Sequence, residues 1–164
     1  MTVAAVVREI GRHPLRFLEH QWNWKAALVS TLLRGTIFFA STMSISVAAA
    51  ARALAVDAAF RAPLAGTCAG LVQAVRRAEP KPIATAVAVV GVPALAHGIE
   101  VAIHAAAATP LLWRAVAGSV VLSIVSSAVE LFLMRRDVMI VGPGAGSLAS
   151  DLRRLSRIAW PGTA

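Results

Sequence analysis

The sequence is poor in several residue types on which many soluble proteins rely. Its 164 residues include one cysteine, Cys68, one asparagine, Asn23, and no tyrosine. A lone cysteine cannot form an intrachain disulfide or a thiolate-rich metal site, and the lack of tyrosine removes a common proton donor. Only two of the sixteen Lys and Arg residues are lysines. This bias is typical of chains encoded by GC-rich bacterial genomes, and it carries no information on mechanism.

Familiar catalytic motifs are also missing. The sequence has no nucleophile elbow, kinase signature or HExxH motif, and the glycine-rich segment 142–146 lacks the Lys-Ser/Thr ending of a phosphate-binding loop. A serine nucleophile needs an adjacent base, whereas membrane helices use serine routinely for helix-to-helix hydrogen bonds. We therefore expect no catalytic residues, no resident metal and no cofactor, which favours a non-enzymatic protein.

Four long apolar stretches dominate what is present, at residues 26–42, 46–75, 82–108 and 111–134. Hydrophobic residues make up 58% of the chain and its mean hydropathy is +0.73, whereas soluble domains are about 45–50% apolar. Three of the stretches have the roughly 20 residues that a helix needs to cross a hydrocarbon core about 30 Å thick. The pattern predicts an all-α polytopic membrane bundle of four transmembrane helices, with amphipathic surface helices at both ends.

Basic residues flank these stretches at alternate ends, and the net charge is +8. Twelve of them lie before the first stretch, between the second and third, or after the fourth: Arg8, Arg12, Arg16, Lys25, Arg76, Arg77, Lys81, Arg135, Arg136, Arg153, Arg154 and Arg157. Short loops rich in Lys and Arg stay cytoplasmic, so both termini are predicted to be cytoplasmic in a bacterial inner membrane. We expect the arginines among them to contact anionic lipid headgroups, and we expect no nucleic-acid partner.

This charge pattern divides the chain into three parts. Residues 1–24 form a basic amphipathic segment, residues 25–136 the four-span bundle, and residues 137–164 a glycine-rich hinge followed by a basic amphipathic helix. In that last helix Leu148, Leu152, Leu155 and Ile158 recur at helical spacing opposite the arginines, and Ser147 can cap its start. A helix of this kind lies on the cytoplasmic headgroups or docks on a partner.

Seven ionisable residues interrupt the apolar stretches: Arg34, Asp57, Arg61, His97, Glu100, His104 and Glu130. Charges at membrane depth normally face protein or water, so these residues are predicted to line the inside of the bundle. Counting helical rise from the cytoplasmic end makes Arg34 and Glu130 plausible partners. His97, Glu100 and His104 share one side of the third helix, but the two histidines are about 10 Å apart along its axis, too far to bind one metal.

Three local features complete the expectations. Gly66 and Gly70 form a GxxxG motif at which two backbones could approach closely. Pro63 and Pro93 are expected to kink the second and third helices. Trp22 and Trp24 stand at the depth of a membrane-interface belt of aromatic residues.

The leading functional expectation is a small non-enzymatic subunit or scaffold that docks into a larger membrane assembly, with other subunits or further copies of itself as partners. One alternative is an oligomeric transporter or channel with a polar path through Arg61, His97 and Glu100. A second alternative is a membrane-embedded metal or redox enzyme that uses His97, Glu100 and His104.

Overall fold

The structure, a computed structural model, describes residues 1–42, 46–106 and 112–159, without the side chains at 34–35, 37–42, 49, 53, 56–57, 60–61, 100, 103–106 and 112–119. The regular elements within these ranges are helices, with no strand among them, which confirms the all-α prediction. The elements are α1 (Val3–Arg12), α2 (Pro14–Gln21), α3 (Trp24–Thr42), α4 (Val47–Val75), α5 (Lys81–Ala86), a π-helical turn (Val87–Gly91), α6 (Val92–Ala106), α7 (Leu112–Met134) and α8 (Leu148–Ala159).

The long helices pack side by side as a bundle. Helix α3 packs along α4, which also contacts α6 and α7, while α5, the π-helical turn and α6 run without a break through residues 81–106. Small side chains such as Ala69, Ala84 and Ala88 supply much of the buried core. Small residues let helix backbones approach closely, which is how membrane helices gain packing energy.

The N-terminal helix is attached to the loop between α4 and α5. Thr2 caps α1 by accepting a hydrogen bond of 3.2 Å from Ala5 N at its side-chain oxygen. Val3 N donates to Glu79 O at 3.1 Å and Glu79 N donates to Met1 O at 3.0 Å. Val3 and Val6 are buried in the main core, so α1 directs part of its apolar face towards protein.

The GxxxG motif brings two backbones together, and the second backbone is the turn between α2 and α3. Asn23 N donates to Gly66 O at 3.0 Å, and Trp22 Nε1 donates to Pro63 O at 3.2 Å. A Cβ atom at Gly70 would lie 2.4 Å from the backbone oxygen of Gln21, and one at Gly66 would lie 2.3 Å from Trp22 Nε1. A side chain at Gly70 would collide with the backbone of this turn, and one at Gly66 would force the Trp22 indole to move.

Both prolines expected to disturb helices lie within the described helices. Pro63 is inside α4, and its carbonyl oxygen also accepts from Thr67 Oγ1 at 2.8 Å. The π-helical turn ends two residues before Pro93, with Val92 N donating to Val87 O. A π turn adds one residue to a helical turn and is a recognised cause of helix distortion.

The outer sides of the bundle expose large apolar side chains, which we name the apolar belt. Its members are Leu28, Val29, Leu32 and Leu33 of α3, Ile83, Val90, Leu95 and Ile99 of the α5–α6 helix, and Val121, Leu122, Val125, Val129 and Phe132 of α7. Among the described residues, Lys81–Ile99 is long and apolar enough to cross a membrane, judged by length and composition, with a mean hydropathy of 1.7. Shorter apolar helices run over Trp24–Leu33, Ala62–Val75 and Val120–Met134. Four transmembrane spans remain a prediction.

Candidate functional site

A network of bonded polar groups lies at one end of the bundle, which we name the basic end and define as residues 1–25, 73–81 and 135–159. At its centre is a buried ion pair that sequence reasoning did not predict. Lys25 Nζ lies 2.6 Å from Asp151 Oδ2 and donates at 2.6 Å to Gly146 O. The side chains are only 2% and 0% exposed. The pair joins the first turn of α3 to the first turn of α8.

Two buried amides form a second connection at the basic end. Gln73 Oε1 accepts from Asn23 Nδ2 at 3.2 Å and from Val141 N at 2.8 Å. Its Nε2 donates to Gln21 Oε1 and to Val141 O, both at 3.0 Å. Gln73, at the end of α4, therefore fastens the segment after α7 to the turn before α3.

The only asparagine of the chain completes this amide network. Asn23 Nδ2 donates to Met139 O at 2.8 Å, and Asn23 Oδ1 accepts from Ala26 N at 3.0 Å, which caps the start of α3. Buried amides are tolerated where their hydrogen bonds are made within the protein. No sequence pattern marks Asn23 for this role, because its partner Met139 lies 116 residues away.

The segment between α7 and α8 is shaped by backbone conformation. Asp137 and Met139 have φ angles of 54° and 60°, and Gly142 and Gly144 have φ angles of 91° and 81°. Glycine adopts such angles without steric penalty, whereas a residue such as Met139 is strained by them. Bonds from Gln73 to Val141 and from Lys25 to Gly146 hold the ends of the glycine-rich stretch that was predicted to be a hinge.

Asp137 lies between two arginines at the end of α4. Its Oδ2 is 2.6 Å from Arg77 NH2, and its Oδ1 is 3.7 Å from Arg76 NH2. Burial lowers the pKa of the Arg76 guanidinium, the neighbouring Arg77 lowers it further, and Asp137 opposes both effects. Arg76 also donates at 3.1 Å to Gln73 O, in the last turn of α4.

Further arginines of the basic end bind backbone oxygens that close α7. Arg154 donates to Asp137 O at 3.0 Å and to Arg136 O at 2.9 Å. Arg135 donates to Arg76 O at 3.2 Å and to Thr85 Oγ1 at 2.8 Å, while the Arg136 guanidinium lies 3.6 Å from the centroid of the Phe132 ring. Cations are favourable at a helix C-terminus, where the last carbonyl groups lack helical partners.

The remaining predicted lipid-facing arginines are exposed. Arg8 and Arg12 lie on α1, Arg16 on α2, and Arg153 and Arg157 on α8. Their contact with lipid stays a prediction. The basic end therefore has one set of arginines with bonding partners in the protein, of which only Arg76 is half-buried, and a second set exposed on α1, α2 and α8.

Inside the bundle, a polar contact joins α6 to α7. His97 Nε2 and Ser123 Oγ share a hydrogen bond of 3.0 Å. Ser127, one turn further along α7, is buried, and Glu130 is half-buried. We name these four residues the α6–α7 seam. Two of them, His97 and Glu130, were predicted from the sequence to face the inside of the bundle.

The other predicted intramembrane residues cannot be added to this seam. The side chains of Arg34, Asp57, Arg61, Glu100 and His104 lie outside the described residues. The pairing of Arg34 with Glu130, and the grouping of Glu100 and His104 with His97, therefore stay predictions. Among the side chains that are described, no three His, Cys, Asp or Glu residues are placed to hold a metal ion.

The chain matches no protein-family model, no curated protein and no solved structure. Its function has to be inferred from the basic end and from the surface of the bundle.

Proposed function

We propose that the chain is a four-span protein of the bacterial inner membrane, with both termini cytoplasmic, that acts as a non-enzymatic subunit or scaffold in a larger membrane assembly. The observation that carries this proposal is the apolar belt. Leu33 is 66% exposed, Leu95 59% and Val121 64%. Apolar surface exposed on several helices is unfavourable in water by about 25 cal/mol per Å² and is typical of a membrane or protein interface.

The low burial of the Lys81–Ile99 segment supports a membrane location over a place in a soluble core. Only 22% of the Lys81–Ile99 window is buried within the protein. A core helix of a soluble protein would be mostly buried, since burial is what makes an apolar helix stable in water. The residues of this window that are not buried are apolar for the most part, so lipid or another membrane protein is the favourable environment for them.

The position of the charges supports the proposed orientation. The start of α1, the loop after α4 and the segment after α7 are bonded to one another through Val3, Glu79, Arg76 and Arg135. These three basic segments therefore lie at the same end of the bundle. Lys and Arg in short loops favour the cytoplasmic side.

The chemistry of the basic end supports a structural role. Lys25, Asn23, Gln73 and Arg154 each bond to a segment distant in sequence. Polar groups bonded in this way fix one arrangement of the chain, whereas catalysis needs groups that converge on a space for substrate. Fixed geometry suits a subunit that presents a constant surface to its neighbours.

The test is whether the chain exists in a stable hetero-assembly. Native membranes carrying a tagged full-length chain would be extracted in a mild detergent and the complex sized and analysed by mass spectrometry. We expect stoichiometric partner subunits, and deletion of the chain should lower the abundance of those partners. Recovery of only monomer or homo-oligomer, with no effect of deletion on other membrane proteins, would contradict the proposal.

The contact between His97 and Ser123 favours one second candidate, a transporter or channel with a polar path through Arg61, His97 and Glu100. Intramembrane histidines frequently serve in proton pathways. Proteoliposomes of the purified chain should then show proton flux that His97→Gln reduces. Absence of flux from folded, reconstituted protein would remove this candidate.

A further inference from the structure

Helix α8 has three sides of different character: one faces the protein, one is apolar and one is basic. Successive residues of a helix point about 100° apart, so Asp151, Leu152 and Arg153 each mark one sector. Asp151 is 0% exposed, Leu152 is 49% exposed and Arg153 is also exposed. The sector that faces the protein is thus the one around a carboxylate, and the apolar sector beside it is only partly covered.

The attachment of α8 to the rest of the protein is polar. Asp151 bonds to Lys25, and Arg154 bonds to the carbonyl groups that end α7. No described residue of α8 belongs to the buried apolar core. In the apolar sector Leu148 and Leu155 are half-buried and Leu152 is exposed. A twelve-residue helix in water normally owes its stability to burial of its apolar face, so this sector needs a covering.

Helix α2 repeats the arrangement and α1 does not. In α2, Phe17 is half-buried and lies near Gly70 of α4, while Leu15 is 79% and Leu18 41% exposed. In α1, by contrast, Val3 and Val6 are buried in the core, although Val7 is 56% exposed. Helices α2 and α8 therefore each expose apolar side chains next to the side that contacts the protein.

The buried ion pair sets the level at which α8 lies along the bundle. Lys25 is in the first turn of α3, and Leu28, the first member of the apolar belt on that helix, follows three residues later, about 5 Å along the axis. Asp151 holds α8 at this level. The uncovered sector of α8 thus lies where the apolar belt gives way to the basic end, which is the level of a headgroup boundary if the bundle spans a membrane.

We propose that α8 lies in the plane of the membrane interface as an anionic-lipid contact, with the Leu152 sector in the acyl boundary and Arg153 and Arg157 on lipid phosphates. The proposal rests on the membrane location argued above. Charge complementarity selects an anionic bilayer as the occupant: the exposed arginines border the apolar sector, and each basic residue near an anionic surface adds to binding. The ion pair of Lys25 and Asp151 then orients the helix before any lipid binds.

The test uses nitroxide labels on the full chain with Cys68→Ala, reconstituted in phosphatidylcholine vesicles with or without phosphatidylglycerol. Single cysteines would replace Leu152, Arg153 or, as the control on the apolar belt, Val121. Accessibility to oxygen reports lipid and accessibility to a nickel chelate reports water. With anionic lipid we expect oxygen to dominate at 152 and 121 and nickel to dominate at 153.

Two variants test the role of the arginines. Omitting phosphatidylglycerol, or introducing Arg153→Gln with Arg157→Gln, should lower the oxygen-to-nickel ratio at 152 by about twofold or more and leave 121 unchanged. An unchanged ratio at 152 would overturn the anionic-lipid contact. A water-exposed 152 with a lipid-exposed 121 would overturn the inference and leave the membrane location standing, whereas water at both positions would overturn both. A label at 152 immobilised only in native membranes would overturn the lipid contact by showing that a protein covers the sector.

Discussion

Lys25 and Asp151 form an ion pair that is almost fully withdrawn from water. Lys25→Met leaves the carboxylate without its cation and should lower the free energy of unfolding by about 3–5 kcal/mol, because an unpaired buried charge is left behind. Asp151→Leu should lower the free energy of unfolding by a similar amount, because it leaves the Lys25 ammonium group without its anion. Combining the two should restore much of the loss, as measured by denaturant unfolding in detergent micelles in a double-mutant cycle.

The matched control is the ion pair of Arg77 and Asp137, whose side chains are 66% and 41% exposed. Arg77→Gln should change the free energy of unfolding by less than about 1 kcal/mol. Water solvates both charged groups well when they are apart, so pairing them at an exposed site adds little stability. If Lys25→Met and Arg77→Gln had equal effects, the buried pair would not be the connection that its geometry implies.

Gly70 tests the close approach of the α2–α3 turn to α4. A methyl group at this position would meet the backbone oxygen of Gln21 at 2.4 Å, and backbone cannot move aside as a flexible side chain can. Gly70→Ala should therefore destabilise the protein by about 1–3 kcal/mol. In α6, a methyl group on Gly98 would have nothing within 4 Å of it, so Gly98→Ala should be neutral or stabilising by up to about 1 kcal/mol. Thermal unfolding of both variants decides the point.

At the residue scale, the sequence predicted where two backbones come close together, but it did not predict which residues would pair with each other. The spacing of Gly66 and Gly70 predicted a backbone contact, which occurs against the turn at Trp22 and Asn23. Lys25 was assigned only to the basic flank of the first span. Its partner Asp151 is 126 residues away, and no periodicity links residues at that separation.

Helix α4 and the segment after α7 are joined through the side-chain amide of Gln73. Gln73→Glu keeps the shape but replaces the donating nitrogen with oxygen, which would face Gln21 Oε1 and Val141 O. Each buried group left without a bond costs about 1–3 kcal/mol, so hydrogen exchange of residues 139–141 should accelerate. Gln21→Glu is the matched control, because it preserves the acceptor that Gln73 uses, and it should leave this exchange unchanged.

Helix α8 should separate from the bundle when its polar anchors are removed one at a time. Arg154→Gln deletes the charged donor to two carbonyl groups at the end of α7. Charge-assisted bonds contribute about 1.5–3 kcal/mol, so cleavage beyond Gly146 by a protease that does not recognise arginine should become about tenfold faster or more in micelles. Arg153→Gln removes an exposed charge of the same helix and should have little effect there. Equal rates for the two variants would mean that other contacts hold α8.

At the scale of whole elements, periodicity and apolar length were reliable guides. The predicted stretches 26–42, 46–75 and 111–134 correspond to α3, α4 and α7, with ends shifted by no more than two residues. Within the basic N-terminal segment, Pro14 begins α2, because proline is well suited to the first turn of a helix. The π-helical turn had no sequence signal beyond the nearby Pro93.

The arrangement of the whole chain makes a prediction about membrane topology. Reporter fusions after Glu79 and after Ala159 should give the same cytoplasmic signal, since both positions belong to the basic end. A fusion near Ala108 should report the opposite compartment. A uniform signal at all three positions would exclude the four-span arrangement.

Whole-molecule architecture was predicted only in outline from the sequence. Charge segregation indicated which segments share an end, because it depends on many residues at once. The amide network and the buried ion pair depend on single atoms of Asn23, Gln73, Lys25 and Asp151 meeting across the bundle, and only three-dimensional packing decides that.

The ion pair between α3 and α8 also has a consequence for how the protein is made. Asp151 is synthesised 126 residues after its partner Lys25. Until then the ammonium group has no Asp151 to compensate it, so the basic end cannot close around it. Closure of that end is thus coupled to synthesis of all the residues from α3 to the first turn of α8. A nascent or truncated product that stops before Asp151 would keep Lys25 hydrated, whereas the finished protein buries it in an ion pair. We expect quality-control proteases to degrade such an open product faster than the finished protein.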